Sequence, residues 1–436
     1  MAAMRLVLLS IGYAMALATV RGAALDPLLD DAGNVWRTSG DDFVAAHAAD
    51  GFVWVSRDAK ESARAARTGL SFAGIEVIEA IARFEKGLCK QFTLSLYNRG
   101  DAGDISPTKF SELLSDADKK LTHWSNAKGT PFKEQRRSSN VAIQSKAWVK
   151  SPHRVDMVWS FTESPGGRVH PEYVRLEITR YDPANPPRAM FNSPTATQAR
   201  PGNIGDLRSR ISRRPNGDVV LEGVPMVDQG AKGYCAAAVL ERLLRYYGRD
   251  IDQHEIAQLF STSARSGTSP SAMIATINKV GPELDIEVNP LQDLTVGEYR
   301  GLIGDYNRQA DRVHKPTVSF SPSVIDVYHE MDADVLRRAR ASNAMALSQF
   351  KAAVSKFINF GMPLTWGIVY GKVPETPASE GLGGHLRLVI GYNDRANEIL
   401  YTDTWGAGHE LKRMPLSDAW AITLGLYVIA PRIMRF

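Results

Sequence analysis

Between Phe52 and Tyr181 apolar and polar positions mostly alternate one for one. The runs 52–55, 76–84, 91–97, 141–149, 155–161 and 173–178 read as strands, several of them two-faced. One segment breaks this rhythm. Leu113, Leu114, Ala117 and Leu121 recur at helical spacing within 109–124, and Ser106-Pro107 just ahead suits a helix entry. These elements predict a mainly β α+β domain over 25–181.

From 182 to 217 the apolar rhythm disappears. Pro183, Pro186, Pro187, Pro194 and Pro201 come with Asn, Ser, Thr and Gly, so the stretch reads as a linker or a long surface crossing. Arg208, Arg210, Arg213 and Arg214 close it, and a solvated loop is preferred to a proteolytic processing site. Beyond it the pattern turns helical over 236–247, with Val239, Leu240, Leu243, Leu244 and Tyr247 on one side and Gly248 as a stop. Helices are also predicted over 251–260, 269–280 and much of 296–360. Strands follow at 364–369, 386–391, 398–402 and 425–429. Helices first and strands afterwards in one segment predict a second α+β domain over 218–436.

Composition changes the picture at the N-terminus. Arg5 precedes the uncharged run Leu6 to Val20, followed by Gly22-Ala23-Ala24. A basic start, an apolar centre shorter than the ~20 residues of a spanning helix and small residues beyond it predict a secretory signal peptide over 1–24. The expected mature protein is secreted or periplasmic, with no stable membrane insertion after cleavage. A net charge of +4 over 436 residues, with no basic stripe, gives no reason to expect a nucleic-acid partner. The two cysteines, Cys89 and Cys235, are too few for a disulfide scaffold. Cys89 starts an alternating run and reads as a core thiol.

Cys235 is different, because it opens the helical run at 236–247. There it meets the unpaired N–H groups and the positive end of the helix dipole, which favour the nucleophilic thiolate. Gln229, six positions upstream, can turn an amide N–H toward a developing oxyanion. Far downstream, Gly-Gly-His-Leu-Arg-Leu-Val-Ile-Gly-Tyr (383–392) and Leu-Tyr-Thr-Asp-Thr-Trp-Gly (400–406) supply His385 and Asp403, each on an expected strand. Each residue alone has a plain explanation in packing or a turn. The ordered set of glutamine, nucleophile, base and orienter points to thiol-dependent acyl transfer. His409-Glu410 and Tyr328-His329-Glu330 are isolated, so no metal is expected. The glycine run at 381–384 precedes a strand and is not a phosphate loop.

This set resembles the papain-like cysteine peptidases from Val224 onward. Tyr234 to Leu240, Leu244 to Gly248, Gln253 to Ala257 and Gly267-Thr268-Ser269 are most similar to the bacteriocin-processing (double-glycine leader) peptidases. The resemblance implies Cys235 as nucleophile, His385 as general base and acid, Asp403 as orienter and Gln229 in the oxyanion hole with the Cys235 N–H. It also implies that Trp405 shields the His–Asp bond. Papain-like enzymes usually carry an aromatic after the cysteine and a small residue before it, whereas here Ala236 follows and Tyr234 precedes. Asp403 stands where papain has Asn and the bacteriocin group has Asp. The 150-residue gap from Cys235 to His385 is at the upper edge of the papain range of roughly 130–150. It is long for the bacteriocin group, which implies a helical insertion around 285–345.

The expectation is therefore an exported, cofactor-free cysteine peptidase acting on a protein or peptide. The alternatives are an amidase, isopeptidase or acyl transferase using the same triad on a non-protein amide, or a non-catalytic binding module. The N-terminal domain would bind substrate or inhibit.

Overall fold

The computed structural model describes residues 23–132, 135–138, 141–164, 166–184, 204–230, 233–260, 270–379 and 381–434. Residues 1–22 of the expected signal peptide, 185–203 of the expected linker and Gly267-Thr268-Ser269 lie outside them. Among the described residues no helix is long and apolar enough to cross a membrane.

The N-terminal unit is built on a nine-stranded antiparallel sheet. In spatial order its main strands run Val53–Trp54, Ser62–Ala65, Glu79–Glu85, Leu88–Asn98, Val169–Arg180, His153–Glu163, Val141–Lys150 and Thr130–Pro131. Gln135–Ser138 also pairs with Val141–Lys150. Alternation sends one residue in two to each face, and register lines these residues up across the strands. One such row is Ala82, Phe92, Ile178, Val155 and Trp148; the next is Ala80, Leu94, Leu176 and Met157. Both rows belong to one apolar core. The helix Pro107–Ser125 covers it with Phe110, Ala117 and Leu121, and its entry is capped by the Ser106 hydroxyl accepting from Lys109 N–H. Cys89 is buried in the same core, where burial pushes its thiol up to about 12.

The opposite face of this sheet carries the intervening residues, among them Arg64, Arg83, Arg175 and Ser160. They meet the C-terminal unit. Arg64 pairs with Asp228 at 3.0 Å, Arg83 with Asp250 at 2.7 Å, and Arg175 with Glu255 at 3.0 Å. Ser160 donates to Gln258 Oε1 at 2.8 Å. One face thus holds a core and the other an ionic interface.

The C-terminal unit has an eight-stranded antiparallel sheet. Its order is Ile211–Arg213, Asp218–Leu221, Gly383–Asn393, Leu364–Tyr370, Thr423–Pro431 and Ile286–Asp293. Glu398–Thr402 also pairs with Gly383–Asn393 and in turn carries Lys412–Pro415. The helix Cys235–Tyr246 lies between this sheet and the N-terminal unit. Val239, Leu240, Leu243 and Leu244 enter the C-terminal core, while Glu241 faces Arg83 across the interface. That two-sided contact is why even Glu241 and Arg242 are buried on this helix.

Three expectations need adjustment. Residues 204–217, read as the end of a linker, include the helix Ile204–Arg208 and the strand Ile211–Arg213, and Leu207 is fully buried in the C-terminal core. The basic residues there are engaged: Arg210 donates to the Tyr246 carbonyl and Arg213 to Asn359 Oδ1. The stretch read as a helical insertion begins with Ile286–Asp293, an edge strand of the main sheet paired with Thr423–Pro431. Helices Val296–Arg312, Val324–Glu330 and Ala333–Ala341 follow, with a core of their own around Tyr299, Tyr306, Tyr328 and Leu336.

Candidate active site

Cys235 is the first residue of the helix Cys235–Tyr246. The preceding residue, Tyr234, makes no side-chain cap there, so no competing carboxylate or hydroxyl is introduced from the cap position. Burial works against a thiolate at Cys235. The hydrogen bond and charge of His385, with the backbone N–H groups of Leu386 and Ala236, outweigh it and hold the thiol below its usual range.

His385 comes from the central strand Gly383–Asn393. Its Nε2 is 2.6 Å from Asp403 Oδ1, and both side chains are almost fully buried. With Nε2 committed to Asp403, Nδ1 is the ring nitrogen left for Cys235. Burial opposes the imidazolium, but the Asp403 carboxylate and Cys235 overcome it and raise His385 to about 9. Trp405 stacks on the imidazole with ring centroids 4.4 Å apart and planes at 11°. Tyr370 meets both rings edge-on. Trp405 therefore covers one face of the ring, where the sequence left it equally readable as an ordinary core aromatic.

Asp403 directly follows the strand Glu398–Thr402. Its Oδ1 accepts from His385 and from Thr404 N–H, the latter at 2.8 Å. Its Oδ2 faces Arg387 Nε at 2.7 Å, an ion pair held by charge rather than by a straight hydrogen bond. Despite its burial, His385 and Arg387 hold the Asp403 carboxyl well below the usual carboxylate range.

Arg387 is the main residue that the sequence reading passed over, although it lies in the quoted motif. Period two places it on the same strand face as His385. The pairing of Leu388 with Thr402 brings it opposite Asp403. Arg387 also bonds Glu375, which Lys412 and Tyr401 Oη reach at 2.8 Å each. Burial alone would raise Glu375, but these partners pull it down to about 2. Charges alternate from imidazolium to Asp403, Arg387, Glu375 and Lys412, so each buried ion has an opposite neighbour.

Gln229 reaches the same place through Thr404. Its backbone N–H donates to the Thr404 carbonyl at 2.9 Å, and its Oε1 accepts from Thr404 Oγ1 at 2.6 Å. That second bond fixes the amide, with its oxygen toward Thr404 and its N–H donors on the other side. Arg242, also passed over, locks the arrangement from behind. It donates to the Pro225 carbonyl at 2.7 Å, the Asp403 carbonyl at 2.6 Å and Thr402 Oγ1 at 2.7 Å. One buried guanidinium on the cysteine's own helix thus fastens both the approach to Gln229 and the Asp403 turn. Among the described residues no group of three or more His, Cys, Asp or Glu could hold a metal ion.

A helix opening on cysteine, set against an antiparallel sheet that presents histidine and aspartate, is the arrangement of a papain-like peptidase. Residues 221–425 match the Peptidase_C39 like family, a match that contains Gln229, Cys235, His385 and Asp403 and supports a peptidase. A comparison with curated proteins found no match.

Proposed function

We propose that the chain is an exported thiol peptidase that hydrolyses peptide bonds through Cys235, His385 and Asp403. The observation that carries this reading is the line from the half-buried Cys235, whose thiol His385 holds down, to the buried His385 and Asp403, bonded at 2.6 Å. The lowered thiol and the raised imidazole both favour the thiolate–imidazolium pair over the neutral pair.

The thiolate attacks the peptide carbonyl carbon, forming a C–S bond and placing a negative charge on oxygen. The Gln229 amide and the Cys235 N–H receive that oxyanion. His385 passes its Nδ1 proton to the departing nitrogen as the C–N bond breaks, leaving a thioester. Water then adds to the thioester carbonyl and gives its proton to His385. Collapse releases the acid and restores the ion pair. Asp403 holds the imidazole in one tautomer and supports its charge throughout.

The test is the rate of Cys235 alkylation by iodoacetamide against pH, with and without His385→Ala. The expected result is fast alkylation well below the free-thiol pKa of about 8.5, abolished by the substitution. Alkylation that rises only in the ordinary thiol range, indifferent to His385, overturns the reading and leaves a binding module. A reactive thiol that does not cleave unfolded casein moves the substrate to a non-protein amide. Export rests on the apolar run at 6–20; N-terminal sequencing of protein recovered outside the cytoplasm should begin near Ala24, and a start at Met1 would refute it.

A further inference from the structure

The segment 228–235 carries the glutamine and the cysteine, and the N-terminal unit grips it at both ends. At the first end, Arg64 from the strand Ser62–Ala65 donates to Asp228 Oδ2 at 3.0 Å. The other oxygen of Asp228 accepts from Gly230 N–H at 2.8 Å and closes a turn around Gln229. Gly230 sits there with φ +66°, and a Cβ on it would come within 2.7 Å of the Arg64 guanidinium. At the second end, Tyr234 packs in the core of its own unit and reaches the N-terminal unit with its hydroxyl. Its hydroxyl donates to Asn98 Oδ1 at 3.0 Å, and the side chain is almost wholly buried. The same oxygen accepts from Gly100 N–H at 2.9 Å, so Asn98 presents an acceptor fixed by its own backbone turn. Gly100 is needed for the approach, because a Cβ there would stand 2.0 Å from the Tyr234 hydroxyl.

A third contact reaches the loop behind His385. Arg57 N–H donates to Glu410 Oε1 at 2.6 Å, and Glu410 Oε2 accepts from Gly408 N–H at 2.7 Å.

Tyrosine just before the nucleophile departs from the papain-like pattern, and its position explains the departure. The usual helix-entry residues hydrogen-bond the first-turn N–H groups. Tyr234 makes no such bond. Its side chain is used as an anchor, and the helix start is set from outside its own unit.

We propose that the N-terminal unit is a positioning element of the thiol site, fixing Gln229 through Arg64–Asp228 and Cys235 through Asn98–Tyr234. This rests on the thiol-peptidase reading above. Asn98, Gly100 and Arg64 are positioning residues, since they act through Asp228 and Tyr234. A unit in this role is required for activity, so it does not serve as an inhibitor whose removal releases the enzyme.

The test uses the full chain and the pH profile of Cys235 alkylation by iodoacetamide, with thermal melting as a control for folding. Gly100→Ala is expected to lower the rate at pH 6 about tenfold, equivalent to moving the thiolate onset up by about one pH unit. Tyr234→Phe, which keeps the ring and loses only the hydroxyl, tests the same bond if Gly100→Ala fails to fold, with an expected loss of about threefold. Asn98→Asp retains the acceptor oxygen and should restore most of the rate lost in Asn98→Ala. Profiles of folded Tyr234→Phe and Gly100→Ala that superimpose on the wild type overturn the proposal while leaving the peptidase reading intact. A wild-type thiol unreactive below the ordinary range overturns both.

Discussion

At the scale of single residues, Arg387 supports the proposed triad through Asp403. Arg387 neutralises Asp403 on one side and Glu375 on the other, with all three side chains shut from water. Replacing it with Met leaves Asp403 with the imidazole as its one ionic partner and Glu375 with Lys412. The expected loss is roughly 3–5 kcal/mol of stability, read from urea unfolding of Arg387→Met against wild type. The loss should shrink on acidification, because protonating the carboxylates removes the charge that Arg387 balanced; equal losses at pH 4 and pH 8 would show that Arg387 acts by packing alone. Proton linkage at His385 has the opposite sense. Its folded pKa, about 9, lies above the ordinary imidazole value, so its stabilising contribution is complete below about pH 6.5 and disappears as pH rises through 9. Gln229, Cys235, His385 and Asp403 were legible because each sits in a recognisable local context. Arg387 was not, because a lone arginine in an apolar strand acquires meaning only once the neighbouring strand's register is known.

At the scale of elements, long periodic segments were easy to read and short edge pieces were not. The helix Pro107–Ser125 and the strands Val141–Lys150, His153–Glu163 and Leu364–Tyr370 lie where the periodicity puts them. Ile286–Asp293 escaped because Pro290 interrupts its run. Proline is tolerated there because the strand is at the sheet edge, beyond Thr423–Pro431. Lys412–Pro415 escaped because three of its four residues are charged or proline and its buried lysine points at Glu375 rather than at water. Of the stretch around 285–345 expected to be helical, Ile286–Asp293 joins the main sheet, because spacing counts residues and cannot say which of them pair with a strand.

At the scale of the whole molecule, ion pairs are prominent where the two units meet. Arg83 is the clearest case, lying between Asp250 at 2.7 Å and Glu241 at 3.7 Å. Burial, then the charge of Asp252, pushes the Glu241 carboxyl up to about 7 even with two arginines beside it. A carboxyl raised in this way takes up a proton on folding between about pH 4.5 and 7, and its burial becomes more costly as pH rises through 7. Arg83→Met should therefore destabilise the protein by roughly 3 kcal/mol at pH 8 and by much less at pH 5. Denaturant melts at the two pH values check this, and a pH-independent loss would mean that Glu241 is not the group left exposed. The sequence showed none of this. Arg83 and Arg175 are ordinary outward positions on alternating strands, and nothing local reveals that a second unit covers them.

The burial of Cys89 bears on how this protein meets oxidants. The two thiols are sorted by environment, with Cys235 half-buried beside His385, which holds it below its usual range, and Cys89 buried in the core of the other unit. A folded molecule has no second thiol at hand to resolve a sulfenic acid formed at Cys235, so oxidative damage there proceeds toward irreversible products unless an outside thiol intervenes. For the exported thiol peptidase we propose, working life is then set by chemical surroundings as much as by stability.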